Sequence, residues 1–420
     1  MFRKPRSPKR LAVVAAVTAL TACVLATAPV QASPTATSST PLALTPPMGW
    51  NDWAHYGCEV TEKIVTANAD ALVSTGLAAK GYDTVTVDDC WMTRSRNASG
   101  HLVADPSKFP HGMAWLGSYL HRKGLKFGIY EDAGTSTCGG YPGSGPNHFA
   151  TDAADFASWG VDYLKLDGCN VPVPGGQSME QAYRQAYEAQ ASALRNSGRN
   201  IILSVSAPAY FQGQSNWYSV INWSHQVGQL WREGADVAMY NGNSSRWGSV
   251  MYNYGYNKGL TSFASPGNWN DPDFIISGAG GLSAEESRSQ VALWAMMASP
   301  LILSSDVSNL SQAGLAAIGN TDLIAVDQDT AGIQATVAAS NASSDVLVKR
   351  LANGDRAVAV LNRTGGTQTL SVPFSQVGLP GCTVRAKNLW TGTTSNAFSA
   401  LSASVPSHGT AVWRVSGACV

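Results

Sequence analysis

The chain has 420 residues, room for two domains of ordinary size, and its 28 Lys plus Arg balance 28 Asp plus Glu. That balance excludes the basic footprint of a nucleic-acid binder and the polybasic face of a membrane-surface protein. Charged residues make up only 13% while Trp (13) and Tyr (14) are plentiful in a 44% hydrophobic chain, a mixture that excludes disorder and suits a neutral, polar, flat-faced ligand such as a sugar.

The first element is an export signal, residues 1–32. Basic residues (Arg3, Lys4, Arg6, Lys9, Arg10) precede an apolar run from Leu11 to about Val30, and Val30-Gln31-Ala32 supplies the small residues of a cleavage site. A Ser/Thr/Pro-rich linker, 33–40, follows. Leu20-Thr21-Ala22-Cys23 resembles a lipoprotein box with Cys23 as the acylated residue, but Val24 and Leu25 continue the apolar run past it, which favours free secretion over a lipid anchor. No later segment is long and apolar enough to span a bilayer. Six cysteines remain beyond the signal: Cys58, Cys90, Cys138, Cys169, Cys382 and Cys419. An even number in an exported chain is the pattern of a disulfide set. Spacing alone does not choose the pairing, and the absence of Cys-x-x-Cys or a neighbouring His cluster argues against zinc.

From residue 41 to 325, β-rich runs (Tyr82–Val87, Lys126–Tyr130, Tyr163–Leu166, Ile201–Val205, Gln229–Trp231, Leu301–Leu303) alternate with helical stretches. The latter are Glu62–Thr75, Trp115–Arg122, Thr151–Trp159, Met179–Asn196 and Ala284–Met297. This α/β alternation, with a polar cluster after nearly every strand, predicts a (β/α)8 TIM barrel. From 326 to 420 the runs are short, alternating and Val/Thr-rich (Val346–Leu351, Ala357–Leu361, Thr367–Val372, Thr383–Leu389, Ala411–Val415). They predict a small C-terminal antiparallel β domain, within which a Cys382–Cys419 bridge would be local.

Barrel chemistry sits where strands end. Those positions hold Asn51-Asp52-Trp53, Asp88-Asp89-Cys90-Trp91, Tyr130-Glu131-Asp132, Lys165-Leu166-Asp167, Arg232 to Asp236, and Asp271-Pro272-Asp273. The set is too acidic for an anion and fits a polyhydroxylated ring, whose hydroxyls donate to carboxylates while its apolar face stacks on an aromatic. Period-two alternation puts Tyr163, Lys165 and Asp167 on one face. A Lys beside Asp167 favours the ionised carboxylate, as a nucleophile requires; an ordinary Lys–Asp pair capping a strand has the same spacing. Asp236, four residues after Arg232, is a candidate proton donor whose pKa a nearby Asp167 would raise; an Arg–Asp surface pair reads the same way. The Asp clusters lack the ligand spacing of an EF-hand, and no metal site is expected.

Taken together, PPMGWNDW, VDDCW, GIYEDAG with TCGGYPGS, YLKLDGC, WREGAD, and WNDPD with ALWAMMASPL, in that order from Pro46, resemble the α-galactosidase and α-N-acetylgalactosaminidase family, glycoside hydrolase family 27 (melibiase-like). The resemblance implies a β-sandwich for the C-terminal domain and a secreted retaining exo-α-glycosidase that needs no cofactor and acts on terminal α-galactosides of an oligosaccharide or polysaccharide. It makes Asp167 the nucleophile and Asp236 the acid/base, with carboxyls roughly 5–5.5 Å apart. It assigns Trp53, Asp88, Asp89, Tyr130, Lys165, Tyr210, Arg232 and Asp273 to substrate binding, and pairs Cys58 with Cys90 and Cys138 with Cys169. Asp271 reads as a turn residue. One departure concerns Ser206 and Ala209, where family α-galactosidases usually carry a Glu and a bulky residue beside the sugar 2-hydroxyl. The small pair is the pattern of the α-N-acetylgalactosaminidase branch, which stands as the alternative activity. β-L-Arabinopyranosidase and isomaltodextranase are further family activities, and a sugar-binding protein without hydrolysis is the reading from a different class.

Overall fold

The computed structural model describes residues 41–237, 246–278 and 281–420; the expected signal (1–32), the linker (33–40) and Cys23 lie outside the described residues. Eight parallel strands are β1 (Met48–Asn51), β2 (Thr84–Val87), β3 (Lys126–Asp132), β4 (Tyr163–Asp167), β5 (Ile202–Val205), β6 (Leu230–Arg232), β7 (Trp269–Asp271) and β8 (Leu301–Leu303). They make one sheet in the order β7-β6-β5-β4-β3-β2-β1-β8. The sheet curls shut where the segment after β7 meets β8: Ile275 N–H donates to Ile302 O at 2.8 Å and Ser304 N–H to Ile275 O at 2.9 Å. The alternation in the sequence is thus a (β/α)8 barrel. β1 and β7, which the sequence marks only by their terminal clusters, are strands of four and three residues.

Helices occupy the intervals. Met179–Asn196 and Ala284–Met296 begin in capping boxes, Ser178 with Gln181 and Ser283 with Glu286, which satisfy orphan N–H groups of the first turn. Trp217–Val227 and Arg246–Asn257 were not legible from composition. The second contains Gly248, Gly255, Asn253 and Asn257, poor helix formers, and is held by packing through Ser249, Val250, Asn253 and Tyr254, all buried.

Strand alternation divides the barrel residues. On β4, Leu164 and Leu166 join the large core shared with the helices, whereas Tyr163 packs inside the barrel with Leu230, Trp269 and Ala298. Strand packing leaves no room at Gly49, where an added Cβ would lie 2.0 Å from the Thr84 carbonyl oxygen.

After the helices Gln312–Ile318 and Thr321–Asp327, the chain forms β9 (Thr336–Ser340), β10 (Ser344–Arg350), β11 (Arg356–Asn362), β12 (Gln368–Pro373), β13 (Val384–Asn388), β14 (Thr394–Ala397), β15 (Ala400–Val405) and β16 (Thr410–Val415). Six of them form the antiparallel sheet β14-β13-β16-β11-β10-β9, and β12 pairs with β15 in a second sheet. Val358, Val360, Trp413 and Val415 face the core between the sheets, while Ala357, Ala359, Leu361 and Val412 face the barrel. The period of two thus gives the large sheet two buried faces. Its barrel-side face lies on the helix Ala284–Met296, which is buried from Ser289 to Met296 without a break. Lys258 and the Tyr254 hydroxyl reach Asp345 across the same junction, both at 2.9 Å. Disulfides join Cys58 to Cys90, Cys138 to Cys169 and Cys382 to Cys419. Among the described residues, no helix is long and apolar enough to cross a membrane.

Candidate active site

The carboxyl ends of β2, β3, β4 and β6 bring most of the expected residues to one mouth. Lys165 is its electrostatic centre. Its ammonium lies 2.7 Å from Asp88 Oδ2 and over the rings of Tyr130 and Phe274, 5.1 and 5.3 Å from their centroids. Burial opposes that charge, but Asp88, Asp167 and Asp236 outweigh it and hold the ammonium above its ordinary pKa. One cation is thus attracted by carboxylates contributed by three strand ends.

Asp88 is fixed from several sides. Asn51 Nδ2 donates to Oδ2 at 2.6 Å and the Asp89 N–H to Oδ1 at 2.9 Å. The Asp88 N–H in turn donates to Asp52 Oδ1 at 2.8 Å. Asp89 accepts from the N–H groups of Cys90 (2.6 Å) and Gly139 (2.7 Å). Burial raises its pKa despite those bonds.

Asp167 ends β4 with its carboxylate partly open. Oδ1 accepts from the Tyr210 hydroxyl at 2.5 Å and from the Gly168 N–H at 2.9 Å. Tyr210 lies on the short helix Ala207–Phe211 after β5, with its hydroxyl 3.2 Å from Cys169 Sγ. Only glycine fits between: a Cβ at Gly168 would approach Tyr183, Tyr187 and Tyr210 within 3.0 Å. Ser206 and Ala209 flank the same turn. Ser206 Oγ and Tyr130 Oη are buried without a hydrogen-bond partner among the described residues, as polar atoms awaiting a ligand's hydroxyls would be.

Asp236 sits one-third exposed, 2.7 Å from Arg232 Nη2. Burial would raise its pKa; Arg232, then Lys165, outweigh burial, and hydrogen bonds from Arg232 and Trp53 add to them, so the carboxyl is held below its usual range. This corrects the expectation that Asp167 pushes Asp236 upward: the nearer cations decide. Asp273 lies behind Arg232. Its backbone turns at φ +77°, so the carboxylate faces inward, ion-pairing Arg232 Nη1 at 2.9 Å and accepting the Val237 N–H at 2.5 Å with no exposure. Held in this way, Asp273 anchors the guanidinium from behind. Burial, opposed by Arg232, pushes it up to about 7. Asp271 accepts the Asp273 N–H at 2.8 Å, the turn contact read from the sequence.

The sequence reading gave no role to four residues that the structure places here: Asn51 and Asp52 behind Asp88, Phe274 beneath Lys165 and Arg232, and Asp132. All lie in or beside the quoted motifs, but which face each presents depends on how the strands turn. The ligand atoms of Asp132, Cys138, Asp167 and Cys169 lie within 4.8 Å of one another. The two sulfurs are joined in a disulfide, which removes them as thiolate ligands.

Comparison with known proteins agrees with this geometry. A family model described as Alpha galactosidase A matches residues 45–329, and one described as Alpha galactosidase C-terminal beta sandwich domain matches residues 341–415. The chain is 45% identical over 377 residues to alpha-galactosidase A of Aspergillus niger, covering 89% of this chain and 69% of that protein. The crystal structure of alpha-galactosidase I from Mortierella vinacea superposes with a TM-score of 0.83 at 31% identity, over 91% of this chain and all of that one. An alpha-galactosidase from Saccharomyces cerevisiae solved with raffinose gives 0.80 at 26% identity, over 89% and 98% of the two chains.

Proposed function

The chain belongs to the α-galactosidase family and is a glycoside hydrolase of α-galactosides, and from that premise we propose that Asp167 and Asp236 cleave the bond by a retaining, two-step route on terminal non-reducing sugars. The observation that carries this reading is the buried Lys165 ammonium, bonded to Asp88 at 2.7 Å and attracted by Asp167 and Asp236. Asp167, ionised and aimed by Tyr210 and Gly168, attacks C1. Asp236 protonates the departing oxygen, then takes a proton from the water that releases the sugar. Arg232 holds the Asp236 carboxyl below its usual range in the free enzyme; closure of the site by the sugar excludes water and raises its affinity for the proton, drawn from solvent, that it passes to the departing oxygen. Asp88 and Asp89 accept from the 4- and 6-hydroxyls and select galactose. Tyr130 and Ser206 supply the unpartnered atoms to the ring, Trp53 donates to Asp236, and Asp273 acts by anchoring Arg232. The catalytic barrel is assigned to 41–325 and the β domain to 326–420.

The Ser206 and Ala209 pair favours a second reading, α-N-acetylgalactosaminidase, because small side chains there leave volume at the sugar 2-position. Secretion is part of the proposal, supported by three disulfides and the N-terminal sequence.

Labelling with a 2-deoxy-2-fluoro or 5-fluoro galactosyl fluoride followed by peptide mapping tests the mechanism: the sugar is expected on Asp167, and attachment elsewhere overturns it. Parallel assays on nitrophenyl α-galactoside, α-N-acetylgalactosaminide and β-L-arabinopyranoside decide the sugar. Ser206→Glu with Ala209→Leu is expected to move preference toward the plain galactoside, and an unmoved ratio refutes the role of that pair.

A further inference from the structure

Beside the nucleophile stands a second carboxyl for which the reaction as described has no use. Asp132 ends β3 in register with Asp167 on β4, and their oxygens lie within 4.8 Å. Asp132 is buried, with Oδ1 accepting the Gly134 N–H at 2.6 Å and Oδ2 the Cys169 N–H at 2.9 Å. It thereby ties the loop after β3 to the segment just past the nucleophile. The groups facing it are Asp167, Asp89 after β2, Tyr130 and Glu131 on its own strand, Tyr183 and Tyr187 on the helix Met179–Asn196, and Tyr210 after β5. Among the described residues no Lys or Arg forms an ion pair with it. Lys165 is held by Asp88 at 2.7 Å.

We propose that Asp132 is a positioning residue that governs the second step of catalysis by staying uncharged beside Asp167. This deepens the retaining reading and rests on it. In that step water oxygen bonds to C1, the C1–Oδ bond breaks, its electron pair returns to Asp167, and Asp236 takes the water's proton. An uncharged Asp132 accepts the returning negative charge at low cost; an ionised Asp132 repels it. In the first step the sign reverses, because attack neutralises Asp167. Burial, reinforced by Asp167, pushes Asp132 up to about 9, so the penalty falls on the alkaline side. Asp236 acts as a base in the second step, so its own ionisation only helps there; a slowing of that step above neutrality points away from it.

The experiment is a pre-steady-state burst of dinitrophenyl α-galactoside on the full chain from pH 6 to 10.5. The burst amplitude counts functional enzyme and the slow phase reports release of the sugar. With one charge appearing within 4.8 Å, the slow rate is expected to fall about 10-fold across a transition at or below about pH 9, at constant amplitude. In Asp132→Asn, uncharged at every pH, the slow rate is expected to be flat over that range. A wild-type slow rate that stays level to pH 10.5 overturns the proposal even if the variant does not fold, and so does an Asp132→Asn profile that keeps the wild-type transition. Absence of any burst or covalent intermediate would instead defeat the retaining reading beneath it.

Discussion

Replacing Tyr210 by Phe removes one oxygen and leaves the ring, which packs 5.5 Å from Tyr183, in place. The lost contact is the 2.5 Å bond to Asp167 Oδ1, a hydrogen bond to a charged acceptor worth about 1.5–3 kcal/mol. Charge on Asp167 is about half-developed in both transition states, so each step feels about half of that energy, about 0.75–1.5 kcal/mol, with opposite sign. At a factor of ten per about 1.36 kcal/mol, attack on C1 should speed up about 4- to 13-fold and release of the sugar should slow by the same factor. Burst kinetics with an activated aryl α-galactoside separate the two rates, and a substrate whose first step is limiting should show a raised kcat. Equal slowing of both steps would refute the reasoning, because it would mean that Tyr210 acts on binding or folding rather than on the charge of Asp167.

Asp236→Ala should slow hydrolysis of a poor leaving group by about 10²–10⁴-fold, while the first step on a dinitrophenyl glycoside is spared; steady-state and burst assays on both substrates check this. Asp273→Asn keeps an acceptor for Val237 but unpairs one side of Arg232, which then leans more fully on Asp236. Its kcat should drop more for poor than for good leaving groups, and equal kcat losses with a raised KM would show that Asp273 serves the sugar directly. Stability should decline as pH rises from 5 to 8. Asp273 (about 7), Asp327 (about 8) and Asp132 (about 9) are all raised, chiefly by burial. Each holds a proton in the native state that the unfolded chain has released, so its contribution is complete below about pH 4 and is lost through the folded value. Lys349, lowered to about 8 by burial, works the opposite way only above that pH. Thermal melts at pH 5 and 8 should show a Tm several degrees higher at pH 5; the reverse order would refute the burial argument.

Much of this architecture was legible because its causes are local. Alternating Tyr163-Leu164-Lys165-Leu166-Asp167 states which side chains enter the barrel. The helix Arg246–Asn257 was hidden because tertiary packing, not propensity, sustains it. The direction of Asp273 depends on one positive φ angle, and no spacing rule distinguishes an inward from an outward carboxylate at such a turn. The proton affinity of Asp236 was misread because the sequence shows an Arg four residues away but not that its guanidinium and the Lys165 ammonium together outweigh the nucleophile. Asp132 stood in plain view within GIYEDAG, yet its partners come from the following loop and the next strand.

From Ser289 to Met296 the helix Ala284–Met296 has no watery side: the barrel takes one flank and the β10, β11 and β16 surface takes the other. Cutting the chain after Asp327 would uncover the flank of that helix on which Ser289 meets His408 and Thr410. The two halves are therefore not interchangeable modules to be swapped or trimmed; they melt together, and an engineer seeking a shorter enzyme would have to repaint that helix with polar residues first.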